Sequence, residues 1–291
     1  MDLISIPIFN QKISLFKGPP IILSDNCSIE KISDGEHSAL FRGASEEICQ
    51  SLDLKSTRCI KIRLNDPDVN TIKHYRTKSV FLLNIFSDSH GVVTSWAAQL
   101  SGEEILSLKK IVEFESLAGF LKISSKTFRI LPTTQRATII QFFKVIDIST
   151  SANPTIIFTL EKYNSSLLRD DFLDKLLDST ICFESMMPGN TELVYRMSQN
   201  IAFIVGTNAE ERLEIFDNMK TLYEVRSKLV HGDVNEKMKN KIEMVENNWN
   251  SYEKYMKAAV SYYLLFLSEN KKDLWETHLK ELILGTQNKL A

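Results

Sequence analysis

The 291-residue chain is 43% hydrophobic and 25% charged, with a net charge of −2. That is the make-up of an ordinary globular protein, long enough for one large or two ordinary domains. Residues 1–150 carry 18 Lys and Arg against 16 Asp and Glu, and residues 151–291 carry 17 against 21; this balance excludes a basic stripe along the chain as a whole and leaves only a local cleft for nucleic-acid contacts.

Near the start, Gly18-Pro-Pro20 and Asp25-Asn26 punctuate short strand-like pieces. Ser79–Phe86 is an apolar run of strand length, Ser87-Asp-Ser-His-Gly91 is turn chemistry, and Val92–Ala98 reads as the return strand of a hairpin. Ser101-Gly-Glu-Glu104 has the form of a capping box that opens a helix to about Ala118, and Phe120–Leu131 adds a strand or two. Residues 1–133 thus read as a small α/β or α+β domain. From Thr134 the texture changes. Thr134–Ile146 predicts a connecting helix and Ser149–Pro154 a loop. Helical patterns follow over Pro154–Leu167, Asp170–Met187, Thr191–Val205, Asn208–Val230 and Val245–Glu269, with a tail helix at Lys272–Leu284. Short links between helices predict an antiparallel bundle over residues 134–291. The predicted fold class is α+β, a small mixed domain followed by an all-α bundle.

Cys27, Cys49, Cys59 and Cys182 show no metal-ligand spacing and read as reduced thiols of a cytoplasmic protein. The first residues lack the basic region and apolar core of a signal peptide, and no apolar run is long enough to span a membrane. His37, His74, His90 and His278 have no metal-binding partners at ligand spacing. With 10 glycines there is no phosphate-cradling glycine loop. Neither metal nor cofactor is expected. Trp249, Tyr252, Tyr255, Tyr262 and Tyr263 share one helical pattern and read as core before they read as base-stacking groups.

The chemistry concentrates in Arg226-Ser-Lys-Leu-Val-His-Gly232. Ile215, Met219, Leu222, Arg226 and Leu229 fall at spacings of 4, 3, 4 and 3, one face of a helix. A guanidinium on an apolar stripe is costly unless an anion meets it, and it can bind phosphate with two parallel hydrogen bonds. His231 lies where Gly232 should cap the helix, and histidine exchanges protons near neutral pH. On a continuous helix, residues five apart point about 140° apart, so Arg226 and His231 share one spot only if the helix has ended or a second copy supplies the missing half. Glu184, in Ile181-Cys-Phe-Glu-Ser-Met-Met187, is a carboxylate in apolar surroundings that can pair with Arg226 or position His231. Tyr223, one turn before Arg226, and Ser227, directly after it, are candidate substrate contacts. Arg196, Arg212 and Lys228 read as surface or structural charges.

Leu222-Tyr-Glu-Val-Arg-Ser-Lys-Leu-Val-His-Gly232 resembles the signature of the Apea-like branch of the HEPN (higher eukaryotes and prokaryotes nucleotide-binding) superfamily. The likeness extends to Glu210-Glu-Arg-Leu-Glu-Ile-Phe216, Glu192-Leu-Val-Tyr-Arg-Met197, Phe183-Glu-Ser-Met-Met187, Asp174-Lys-Leu-Leu-Asp178 and Lys162-Tyr-Asn-Ser-Ser-Leu-Leu-Arg169. These blocks cover about half the chain. Ser227 departs from the Asn, Asp or His common at that place in the wider superfamily, though Ser is familiar in this branch. The resemblance implies a HEPN-like helical bundle, a homodimer whose two motifs share a cleft, and an Arg226 that belongs to the active site. It implies a metal-independent endoribonuclease cleaving cellular RNA, tRNA among the candidates, in phage defence or a toxin system. An antitoxin or a phage-derived trigger is the further partner implied. In that reaction the ribose 2′-OH attacks phosphorus, Arg226 stabilises charge, and His231, with Glu184, serves proton transfer; the products are a 2′,3′-cyclic phosphate and a 5′-OH. The rival expectation is a non-catalytic helical module that dimerises and binds nucleotide, RNA or a protein partner. The acidic helical half favours this rival, and the intact Arg226 and His231 favour the nuclease.

Overall fold

The computed structural model describes residues 2–9, 20–31, 33, 58–65, 68–86, 92–93, 96–101, 104–110, 135–152, 154–169, 171–189, 192–232 and 235–285. The chain forms two compact units, residues 1–147 and 148–291; the change of sequence texture falls at 133/134.

The first unit is built on an antiparallel sheet of seven strands: β1 (Asp2–Phe9), β2 (Ile21–Ser24), β3 (Cys27–Lys31), β4 (Arg58–Leu64), β5 (Val92–Val93), β6 (Trp96–Ser101) and β7 (Glu104–Lys110). Their order is β2-β3-β4-β1-β6-β7, with β5 also paired to β1. Register is set by pairs such as Ile4↔Ile62, Ile29↔Ile60 and Ala98↔Leu108. Ile21, Leu23, Cys27, Ile29, Cys59, Ile60 and Ile62 are buried. Glu30 on β3 is held by Arg63 and Lys61 of β4, so the strand pair is tied by charge as well as by its ladder.

Two expectations for this unit are corrected. Ser79–Phe86 is not a strand but the second half of helix α1 (Val69–Phe86). Its start is fixed by the Asp68 carboxylate, which accepts from the Thr71 N–H at 2.6 Å. Lys78, Phe81, Leu82 and Ile85 are its buried face, and their 3- and 4-residue spacing was masked by the continuous apolar run around them. The return strand Val92–Ala98 does enter the sheet, but as β5 and β6, paired with β1 and β7. The helix expected from Ser101 is also replaced: Glu104–Lys110 is β7, and Ser101 pairs with Glu104. The pairing of Ser101 with Glu104 across the sheet outweighs the capping-box reading. The strands expected over 120–131 lie outside the described residues. Helix α2 (Gln135–Ala152) takes the place of the expected connecting helix and continues through most of the expected loop; Ile139, Phe142, Phe143, Val145 and Ile146 are buried on it.

The second unit is helical. It contains α3 (Pro154–Leu168), α4 (Phe172–Met186), α5 (Leu193–Val205), α6 (Ala209–His231), α7 (Glu236–Asn247), α8 (Trp249–Glu269), a 3-10 turn (Lys272–Leu274) and α9 (Trp275–Leu284). The boundaries follow local chemistry. Pro154 opens α3, where a missing N–H costs nothing. Asp171, Asn208 and Asn235 cap α4, α6 and α7 by accepting from Asp174, Glu211 and Met238 N–H. The helix expected over Val245–Glu269 is two helices, broken at Asn248. In α7 only Met238 and Val245 are buried, too sparse a stripe for periodicity to detect.

Helix α3 packs on α4, α5 on α6, and α8 on both α4 and α5. Phe183, Met197, Ile201, Met219, Leu222, Tyr252, Met256 and Tyr263 fill the shared core, each 2% exposed or less. Asp178 of α4, 4% exposed, accepts from Lys162 at 2.6 Å and from Arg169 at 2.8 Å. Two cations thus offset the cost of placing a carboxylate in the α3–α4 seam. Asp178→Ala should lower unfolding free energy in urea by about 2–4 kcal/mol. Arg169→Ala should cost only about 1 kcal/mol, because the 40% exposed Arg169 side chain is readily rehydrated.

Candidate functional site

Helix α6 carries the motif. Its first turn is closed twice, by Asn208 and by Glu211, which accepts from the N–H and hydroxyl of Thr207. Its last turn ends on Gly232 at φ 74°, whose N–H donates to Leu229 and Lys228 carbonyls. Ile215, Met219, Leu222 and Val225 are the buried stripe. Arg226 lies at the edge of that stripe with a 25% exposed side chain, and Leu229 beyond it is half-buried.

Arg226 meets Glu184 of α4, with NH2 and Oε2 3.6 Å apart. This is ion-pair distance but long for a hydrogen bond. The arrangement is incompletely satisfied: Glu184 Oε1 and Arg226 Nε are both buried without a hydrogen-bond partner among the described residues. Burial raises the Glu184 carboxyl above its ordinary value, and Arg226 lowers it only in part. The Tyr223 ring lies 5.7 Å from the Arg226 guanidinium carbon, so Tyr223 flanks the pair. Ser227 is half-buried on the next position of the helix.

His231 is placed differently. The helix runs through it, and its side chain is exposed. With α6 continuous, Arg226 and His231 diverge by about 140°. The structure brings Arg226, Glu184 and Tyr223 together, and within one chain it leaves His231 on another face. Among the described residues, no hydrogen bond or ion pair joins His231 to the pair, and no three His, Cys, Asp or Glu side chains converge as a metal set.

The other basic candidates are structural. Arg212 lies 4.6 Å from the Phe203 ring and donates to the Gly206 carbonyl, and Arg196 faces Glu276 at 3.8 Å. The aromatic residues of α8 from Trp249 to Tyr263 are core, each under 10% exposed. The Lys162–Asp178–Arg169 cluster escaped sequence reading, although an Asp inside Leu176-Leu-Asp-Ser-Thr-Ile181 carries the same signal that singled out Glu184. No helix of the described residues is long and apolar enough to cross a membrane. The chain has no match among models of protein families, among curated proteins or among solved structures.

The pair makes a pH-dependent contribution with a defined sign. A carboxyl with a raised folded pKa contributes stability that is fully present below its unfolded value of about 4.5 and is lost as pH climbs through the higher folded value. Wild-type protein should therefore lose more thermal stability between pH 4 and pH 7.5 than Glu184→Gln. Arg226→Met should lose more than wild type, because the charge that holds Glu184 down is gone. Parallel melting profiles for the three proteins would show that the pair is not the source.

Proposed function

We propose that the helical unit is a HEPN-like, metal-independent endoribonuclease that acts as a homodimer paired through α6. The observation that carries this reading is Arg226, seated against Glu184 at the edge of the core, on the same helix as an exposed His231. One chain supplies both groups but cannot aim them at one phosphate, so a second copy must complete the site.

The surface of α6 supports such pairing. Leu213, Phe216, Lys220, Tyr223, Ser227 and Val230 repeat at spacings of 3, 4, 3, 4 and 3, the seam of a two-helix contact. Leu213 is 64% and Val230 56% exposed, and Tyr195 of α5, 56% exposed, rests edge-on against Phe216. The charge is asymmetric. Glu210, Glu211, Glu214 and Asp217 against Arg212 make the first half of α6 acidic, and Lys220, Arg226 and Lys228 against Glu224 make the second half basic. An antiparallel second α6 brings Arg226 of one copy level with His231 of the other where the two helices cross near Lys228–Leu229, which sets Ser227 against Val230 and gathers the basic second halves around one phosphate. In the cleft so formed, Arg226 stabilises charge on the phosphate, Glu184 sets the position of Arg226, Tyr223 and Ser227 line the approach, and His231 transfers the proton. Cellular RNA is the substrate, and the first unit restrains the nuclease or senses a trigger.

A second reading has its own support. Glu184 already answers the charge of Arg226, which favours a dimeric binding module without catalysis.

Complementation separates these possibilities. His231→Ala and Arg226→Met should each lose on the order of 10²-fold or more of RNA cleavage, with wild-type activity persisting in EDTA and leaving 2′,3′-cyclic phosphate ends. Mixing the two inactive variants should restore activity, since a heterodimer holds one site with both groups intact. Val230→Glu should give a monomer by light scattering and abolish cleavage. A folded His231→Ala that cleaves like wild type would sink the mechanism, and a wild type that cleaves no RNA would leave the binding module.

A further inference from the structure

The helical unit contains a second feature, remote from the motif, that the nuclease reading does not use. A cavity of about 330 Å³ is walled by the start of α3 (Thr155), the end of α4 (Met186, Pro188), Tyr263 of α8, Lys272 of the 3-10 turn and Trp275 of α9. That volume is at the lower end of those that take small ligands.

Two polar groups in the wall have no protein partner among the described residues. Tyr263 is 1% exposed, and its hydroxyl makes no hydrogen bond; burial pushes its phenol up to about 12, so it stays a neutral donor. Lys272 makes no ion pair, and burial lowers its ammonium below the usual lysine range. Asp273 and Glu276 also line the cavity but do not pair with Lys272: Glu276 is engaged by Lys280 at 2.9 Å and Arg196 at 3.8 Å, and Asp273 is exposed to solvent. The start of α3 adds first-turn N–H groups, whose dipole favours negative charge. Thr155 and Ser185 add hydroxyls to the wall, and Met186, Met187, Pro188 and Trp275 form its apolar part. The Trp275 indole is 3% exposed, and its N–H is tied to the Met186 carbonyl at 2.8 Å, so the ring offers carbon, not a donor.

We propose that this cavity binds a small organic anion, a carboxylate or phosphate monoester on a compact apolar or aromatic body. The anionic head sits between the Lys272 ammonium and the Tyr263 hydroxyl, and the body lies against Trp275, Met186 and Pro188. The proposal is independent of the nuclease reading, because none of these residues belongs to the motif.

Calorimetric titration of the full chain with phenyl phosphate, phenylacetate, inorganic phosphate and benzylamine tests it. Phenyl phosphate or phenylacetate should bind with a Kd on the order of 10⁻⁴–10⁻³ M, inorganic phosphate more weakly, and benzylamine not at all. Which of the two aromatic anions binds better tells a phosphate site from a carboxylate site. Lys272→Met should weaken binding about tenfold or more, and Tyr263→Phe about three- to tenfold, with melting temperatures near wild type. His231→Ala should bind like wild type whether or not it cleaves RNA. The proposal is overturned if neither aromatic anion binds at millimolar concentration, or if benzylamine binds as well as they do. It is equally overturned if binding survives Lys272→Met but is lost in Arg226→Met, which would place the anion on α6.

Discussion

Among the described residues, the contact between Arg226 and Glu184 is the one ion pair between α6 and α4. Apolar packing alone lets two helices slide by a turn at modest cost, because one methyl substitutes for another. A guanidinium and a carboxylate at the edge of the core do not slide, since either one displaced would be buried without its counterpart. The 3.6 Å separation and the two orphaned atoms show that this constraint is not at its own optimum. Arg226 is held in place while part of its hydrogen-bonding capacity stays uncommitted. In the proposed reaction a phosphate oxygen meets the exposed part of the guanidinium, not the buried Nε.

The second constraint is the continuity of α6. Because Gly232 and not His231 adopts the left-handed cap, the helix carries His231 a full five positions beyond Arg226 with no unwinding between them. A short motif that looks like one site in the sequence is therefore two half-sites on opposite flanks of one helix. The same continuity sets the pattern of the exposed flank, where acid precedes base along the axis. In an antiparallel copy that crosses near Lys228–Leu229 the two basic ends meet, which leaves their charge for an anion to answer.

Much of the helical unit was legible because its punctuation is chemical. Asn208, Gly206 and Gly232 mark ends of helices by what their side chains and backbones can do, and the stripe from Ile215 to Leu222 is regular. The Arg226–Glu184 pair was legible for a related reason: an ionisable group inside an apolar pattern has few affordable partners. What escaped was structure without amphipathic contrast. The run at residues 80–86 is apolar on every side, so its period is invisible, and only Asp68 upstream signals a helix. Helix α7 is polar on nearly every side, which hides it just as well. The Ser101–Glu104 segment carried two local codes at once, a capping box and a hairpin link, and pairing across the sheet decided between them. The Lys272 cavity was not legible, since five separate elements supply its wall.

Helix α7 illustrates what sparse burial means for motion. Of its 12 residues, Met238 and Val245 alone are buried, and its tie to α6 is the Lys241–Glu224 ion pair. Exposed ion pairs hold little, so the free energy separating docked α7 from a locally opened form is far smaller than that of unfolding the bundle. Its amide protons should be among the first in the helical unit to exchange with solvent. Each opening also releases Glu224 from Lys241, so that for the lifetime of the open state α6 gains a negative charge midway along its exposed face.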